Sequence, residues 1–267
     1  MSDPEIVLRG GSTNDGLVVR VGDTVRRPER ATSPATRALL EHLERVGFDG
    51  APRHLGRDAE GREVLTYVEG EVPIEPHPGW ALTDGALVSV AELLRRYHDA
   101  VASFDASGLA WEQPVPAAFR GGLICHNDPN LDNVVFSDGR AVALIDFDLA
   151  GPGSAVWDLA CAARHWAPLR DERDMPAGLR GRCLDRLRLF ADAYGLAHAE
   201  RVRLPAAARA SHEWAYDVVR DALRVGHPSF AARWRAGGRA RAERTARWLD
   251  ADQRALARAL GVPPQDM

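Results

Sequence analysis

The chain has 267 residues, 45% hydrophobic and 27% charged, a balance that supports a packed core and excludes a largely disordered polymer. A formal net charge of −4 makes no case for a nucleic-acid partner, and no apolar run approaches membrane-spanning length. The opening MSDPEIVL lacks a secretory pattern and the three scattered cysteines (Cys125, Cys161, Cys183) read as reduced thiols, so a cytoplasmic protein, most simply a monomer, is expected.

The first third reads as a mixed lobe. Strand-like pieces at 5–9, 17–21 and 24–27 are separated by Gly, Asn and Asp turns, as in a meander. Ser33-Pro34 then opens a helix that puts Leu39, Leu40, Leu43 and Val46 on one face and stops at Gly47. Two more strands are expected at 53–56 and 63–68. The stretch 69–79, with Pro73, Pro76 and Pro78, reads as a connection, which divides the chain into residues 1–70 and 71–267. Beyond it Leu87, Val90, Leu94, Tyr97, Val101 and Phe104 recur at helical spacing. Residues 134–137 and 141–145 flank Asp138-Gly139, a hairpin signal. Helices are expected at 154–167, 180–195, 206–225 and 231–260, the last interrupted at Gly237-Gly238. The fold class is therefore α+β: a small β-rich lobe with one helix, then a larger, mainly helical lobe.

Chemistry concentrates in two runs. ICHNDPNLDNVVF (124–136) sets His126, Asn127, Asp128, Asn130, Asp132 and Asn133 between apolar flanks, and ALIDFDLAGPG (143–153) carries Asp146 and Asp148. The hairpin turn at Asp138-Gly139 folds one run onto the other. Asn133 and Asp146 become neighbours at the same end, with Asp128 one loop away. Two carboxylates and a carboxamide oxygen suit Mg²⁺, which keeps few protein ligands and shares its sphere with water and phosphate. The remaining carboxylate can take a proton from a hydroxyl. Asx-rich turns that merely cap the hairpin are the plainer alternative. A D-x-D phosphatase motif is a poor match, because DFDLA lies mid-chain and continues into Leu149-Ala150. All 34 basic residues are arginine, so a G-x-x-x-x-G-K-[ST] loop and lysine Schiff bases are excluded, and any basic side chain on phosphate is an arginine.

H-x-D-x(4)-N followed by I-D-F-D resembles the signature of the aminoglycoside phosphotransferase-like branch of the protein-kinase fold, and the whole chain fits that layout. The fuller string, with WDLA, is similar to an actinobacterial subgroup of phosphotransferases of trifolitoxin-immunity type. The resemblance implies a bilobal kinase-like fold and transfer of the γ-phosphate of ATP or GTP, with Mg²⁺, to a hydroxyl of a small molecule. A catalytically inactive binding or immunity protein is the alternative. It implies Asp128 as catalytic base or as the group orienting the acceptor. His126 would stand beside it as a structural pin, Asn133 and Asp146 would be metal ligands, and Asp158 a brace for the catalytic loop. Asp148 would be a second metal contact or simply solvated. In the small lobe it implies Gly10, Gly11 and Ser12 over the phosphates and a Val25 wall for the base. Arg27, or next Arg26, would be the phosphate anchor, and the Tyr67, Val68 and Glu69 backbone the hinge that reads the purine. The family's helix acid is not where it is expected: Thr36 holds that region, with Glu41 and Glu44 nearby. For the acceptor, Glu213, Asp217 and Asp221 form an i, i+4, i+8 stripe beside Trp214 that would bind amines. The alternative is an exposed stripe paired with Arg209, Arg220 and Arg224.

Overall fold

The structure, a computed structural model, describes residues 4–8, 17–112 and 114–266; Gly10, Gly11 and Ser12 lie outside the described residues. Five antiparallel strands form the small lobe: β1 (Ile6–Val7), β2 (Val19–Val21), β3 (Thr24–Arg27), β4 (His54–Arg57) and β5 (Glu63–Thr66), in the order β1-β2-β3-β5-β4. Helix α1 (Ser33–Arg45) starts with Pro34 in its first turn and buries Leu39, Leu40 and Leu43, as their spacing requires. The chain then passes Gly70, whose φ of +145° and bare Cα let it lie against the Phe136 carbonyl, where an added Cβ would stand 2.5 Å away. Glu71 pairs with Phe136 as an isolated antiparallel bridge, so the connection is stitched to the larger lobe.

That lobe is built on α2 (Asp84–Val101) and α3 (Ala155–Trp166). Thr83 caps α2 by accepting the Ala86 N–H at 3.2 Å. The expected hairpin is present as β7 (Val134–Ser137) and β8 (Arg140–Leu144), with Val134 opposite Leu144. A second small sheet had no legible signal: β6 (Leu123–Cys125) pairs with β9 (Gly151–Gly153), a Gly-Pro-Gly strand. Its glycines are needed because a Cβ on Gly153 would stand 2.7 Å from the Cys125 sulfur. The remaining helices are α4 (Cys183–Tyr194), α5 (His198–Arg224), α6 (Pro228–Arg233), α7 (Arg239–Ala251) and α8 (Gln253–Ala259). Helix α5 begins eight residues before the expected 206 and carries Pro205 in its interior, where proline ordinarily breaks a helix. The expected helix at 231–260 is three, broken where Gly237 takes φ +96° and again at Asp252. One core joins Tyr97, Phe136, Trp157 and Trp166; Trp157 stacks on Phe119 and meets Trp214 edge-on. All three cysteines are free and buried. Among the described residues no helix is long and apolar enough to cross a membrane.

Candidate active site

Asp158, in the first turn of α3, is fully buried and organises the loop after β6. Its carboxylate accepts the backbone N–H of His126 (2.9 Å), that of Asn127 (2.8 Å) and Nε2 of His98 (2.9 Å). Burial alone would raise its pKa, but the His98 bond and charge and the amide N–H groups hold it below the usual carboxylate value. Asn127 takes a left-handed φ of +65°, a conformation asparagine tolerates. Its amide donates to the Leu149 carbonyl while its oxygen accepts the Trp157 indole N–H, which ties the loop to the chain after Asp146. His126 donates from Nε2 to the Ile145 carbonyl (3.0 Å) and accepts the Asp128 N–H on Nδ1 at 3.3 Å. Both ring nitrogens therefore hold backbone, and burial pushes the imidazole pKa down, so His126 is a neutral pin across the two motif runs and lines neither cavity described below.

The hairpin brings Asn133 and Asp146 together, with the Ile145 N–H donating to the Asn133 carbonyl at 2.9 Å. Asp128 joins them. Its carboxylate oxygens accept the amides of Asn130 (3.1 Å) and Asn133 (3.0 Å), and Asn133 Nδ2 also reaches the Asp128 carbonyl (2.9 Å). These bonds direct the nitrogen of Asn133 at Asp128, which leaves its oxygen as the outward donor atom. Asp146 sits at φ +62°, ψ +69°, a strained conformation for an aspartate, and its Oδ1 is buried without a hydrogen-bond partner. Burial first, and the Asp146 charge second, push the Asp128 carboxyl up to about 7, with Arg164 opposing. Asp146 is raised by burial and Asp148, against Arg27 and Arg30. Three acidic or amide groups are thus gathered at one recessed point with one carboxylate oxygen unsatisfied.

Above this point stands Arg27 of β3, almost fully buried. Nε donates to Glu63 (2.9 Å) on the neighbouring strand, and Nη1 donates to Asp148 (2.7 Å) and lies 3.9 Å from Asp146. Arg27 and Glu63 are direct partners in the β3–β5 register. The acid expected on α1 is therefore supplied by β5: Thr36 is buried, and Glu41 and Glu44 are exposed. Arg26 corrects an expectation, because strand alternation turns it to the other face, where it meets Thr24 (2.6 Å) and Asp58 (3.6 Å). Asp148 also departs from the metal-contact expectation. One of its oxygens accepts from Arg27, and Arg30 Nε lies 3.1 Å from the other.

Two cavities meet here. A slot of about 310 Å³ runs under the sheet between Val25 and Leu65 on one side and Val135 and Ile145 on the other, with Tyr67 and Val68 along it and Arg27 in its wall. Glu69 is turned out of it, paired with Arg20 (2.5 Å), whose guanidinium covers the Tyr67 ring at 3.6 Å. The Tyr67 N–H is taken by the Asp23 carbonyl, and Tyr67, Val68 and Gly70 line the slot. A second cavity of about 480 Å³ holds Asp128, Arg30, Arg164, Trp214, Val218 and Asp221. Asp132, Asn133 and Asp146 line both. Of the expected acceptor residues Trp214 and Asp221 reach this cavity. Glu213 and Asp217 face away, paired with Arg209 (3.4 Å) and Arg220, and Asp221 on the cavity side pairs with Arg224 at 2.8 Å. The helix turns about 100° per residue, so the cavity face runs through Trp214, Val218, Asp221 and Val225, and the stripe at i, i+4, i+8 from Glu213 begins off that face and reaches it only at Asp221.

Residues 105–194 match the phosphotransferase enzyme family. The trifolitoxin immunity protein of Rhizobium leguminosarum bv. trifolii is 35% identical over 206 residues, 74% of this chain and 76% of the relative. The chain belongs to this phosphotransferase family. Solved structures carry the fold across its length. A choline/ethanolamine kinase family protein from Mesorhizobium loti superposes with a TM-score of 0.61 at 18% identity, covering 97% of this chain and 92% of the other. The GDP complex of aminoglycoside 2'-phosphotransferase-IIIa gives 0.58 at 13%, covering 96% and 94%. At these identities the likeness is one of fold, and that fold is kinase-like.

Sequence reasoning passed over Glu63, Arg30 and Arg164. Glu63 carries no local signal, since it reads as one more strand residue until β5 is set in register beside β3. Arg164 lies in the mostly apolar helix α3 and donates to the Ser211 carbonyl (3.2 Å); an arginine following two alanines was the one available hint.

Proposed function

We propose that the protein is a Mg²⁺-dependent phosphotransferase that moves the γ-phosphate of ATP or GTP to a hydroxyl of a small molecule, acting as a cytoplasmic monomer. The observation that carries the reading is the unsatisfied, buried Oδ1 of Asp146 beside Asn133 and Asp128, where the apolar slot opens into the second cavity. A buried carboxylate oxygen without a donor is a cation's ligand in waiting, and the carboxamide oxygen of Asn133 matches it in hardness. Such an ion would neutralise charge on the nucleotide phosphates.

In this reading residues 1–70 bind the nucleotide and residues 71–267 carry the transfer chemistry. The base lies between Val25, Leu65, Val135 and Ile145, with Val68 as hinge. Arg27, held by Glu63 and Asp148, anchors phosphate oxygens in the place a lysine would take. Asp128 accepts the proton of the acceptor hydroxyl as the new O–P bond forms, and the bond to the β-phosphate oxygen breaks to leave the nucleoside diphosphate. Solved neighbours of the fold bind GDP and ATP, in keeping with a nucleotide in the slot. The acceptor enters from the side of Trp214 and Val218. Glu213 and Asp217 of the acidic stripe are turned away, whereas Asp221 lines the cavity together with Glu112, Asp128 and Asp132. The second reading, a non-catalytic binding or immunity protein, is favoured by one observation, the relative named for trifolitoxin immunity.

Mg²⁺·ATP or Mg²⁺·GTP is expected to raise the melting temperature, and no shift with either removes the nucleotide reading. Transfer of labelled γ-phosphate to any member of a panel of aminoglycosides, macrolides, nucleosides, choline-like alcohols and sugars separates enzyme from binding protein. Arg27→Gln is expected to weaken nucleotide binding by about tenfold or more, since a charge-assisted phosphate contact is lost. Glu63→Gln, which frees the guanidinium to swing, is expected to give a smaller loss; if Glu63→Gln binds as tightly as wild type, Glu63 does not position the anchor.

A further inference from the structure

Arg27 and Arg30 engage opposite oxygens of one carboxylate, that of Asp148, at 2.7 and 3.1 Å. The two guanidinium groups belong to different spaces. Arg27 lines the slot and not the second cavity; Arg30 lines the second cavity and not the slot. The residues common to both spaces are Asp132, Asn133 and Asp146, so the passage between them runs from Arg27 to Arg30 past Asp146. A phosphoryl group leaving a nucleotide in the slot for a hydroxyl at Asp128 travels along that passage.

We propose that Arg30 contacts the transferring γ-phosphoryl group, with Asp148 as the carboxylate that positions it; this rests on the phosphotransferase reading of the same site. During transfer the charge spreads over three equatorial oxygens, and a planar guanidinium offers donors to two of them at once. Arg30 is well placed to do so. Its backbone is fixed at the mouth of α1, where its N–H donates to the Ser33 hydroxyl (3.0 Å) and its carbonyl accepts the Ser33 N–H (3.1 Å). Its side chain keeps 24% exposure against 8% for Arg27, so it is the more open of the two to a group arriving in the second cavity, while Arg27 is clamped between Glu63 and Asp148. The division of labour follows: Arg27 holds what remains on the diphosphate, and Arg30 meets the group that leaves it. The same arrangement accounts for Asp148, whose oxygens serve two arginines.

The test compares a triphosphate with a diphosphate. Wild type, Arg30→Gln and Arg30→Lys are titrated by calorimetry with Mg²⁺ and AMP-PNP or ADP, and in parallel with GMP-PNP or GDP. Arg30→Gln is expected to bind the triphosphate analogue about tenfold or more weaker while diphosphate affinity changes less than about twofold. Arg30→Lys, which keeps the charge and loses the fork, is expected to fall between the two, and it serves as the probe if Arg30→Gln does not fold. Equal losses for both nucleotides, or no loss for either, overturn the assignment. A wild-type protein that binds none of the four overturns the phosphotransferase reading itself.

Discussion

Asp128→Ala is expected to lower phosphoryl transfer by about 10²–10⁴-fold while the thermal shift with Mg²⁺ and nucleotide persists. The carboxylate stands between the amides of Asn130 and Asn133 on the acceptor side of the passage, whereas the nucleotide slot is walled by other residues. Removing it takes away the proton acceptor without touching Arg27, Asp146 or the apolar walls. The pH profile gives an independent reading. Burial and Asp146 push this carboxyl up to about 7, and only its ionised form accepts a proton. For wild type, kcat/KM is therefore expected to rise with pH through about 7 and level off above it, and the residual rate of the variant is expected to lack that rise. Unchanged turnover in Asp128→Ala would remove the base assignment.

The largest stability effect is expected at Asp158. Asp158→Ala leaves the His126 and Asn127 N–H groups and the His98 ring N–H without an acceptor in a site closed to solvent. Breaking a buried hydrogen-bonded charge of this kind costs about 3–5 kcal/mol. For a chain of this length that corresponds to a fall of roughly 5–9 °C in Tm. Asp158→Asn keeps one acceptor oxygen and is expected to lose less. The sign of the pH dependence follows from the depressed pKa. Above the ordinary 3.8 of an unfolded aspartate the contribution is complete, and it disappears as pH falls below that value through the folded one. The Tm gap between wild type and Asp158→Ala is thus expected to hold from pH 5 to 8 and to close in stronger acid. A gap below about 1 kcal/mol at pH 7, read from denaturant unfolding, would show that Asp158 does not organise the loop.

Much of this molecule is local and was legible. Helical spacing marked α1 and α2, and Asp138-Gly139 marked the hairpin. The meeting of Asn133 with Asp146 follows from an antiparallel ladder closed by that turn, with a bulge between Val135 and Phe136 that shifts the register by one residue. The brace at Asp158 was legible only through the family resemblance, since nothing in WDLA says which backbone it will meet 31 and 32 residues upstream.

What the tertiary structure alone decided is which charge meets which. Arg27 needs an acid, and the chain offers Glu41, Glu44, Glu63 and Asp148; the strand order β3-β5 and the docking of the two lobes chose Glu63 and Asp148. Of the two readings of the acidic stripe the structure shows the arginine-paired one, for a related reason. Glu213 and Asp217 share a stripe with Asp221, yet the rotation of α5 against Trp157 and Pro114 turned Trp214 inward and those two acids toward arginines. By itself the sequence determined α1, α2, the hairpin and the gathering of Asp128, Asn133 and Asp146, because these depend on spacing within a turn or a helix. Only the folded chain determined the arginine pair on Asp148 and the two cavities it divides, because contacts between residues 121 apart depend on how whole elements pack.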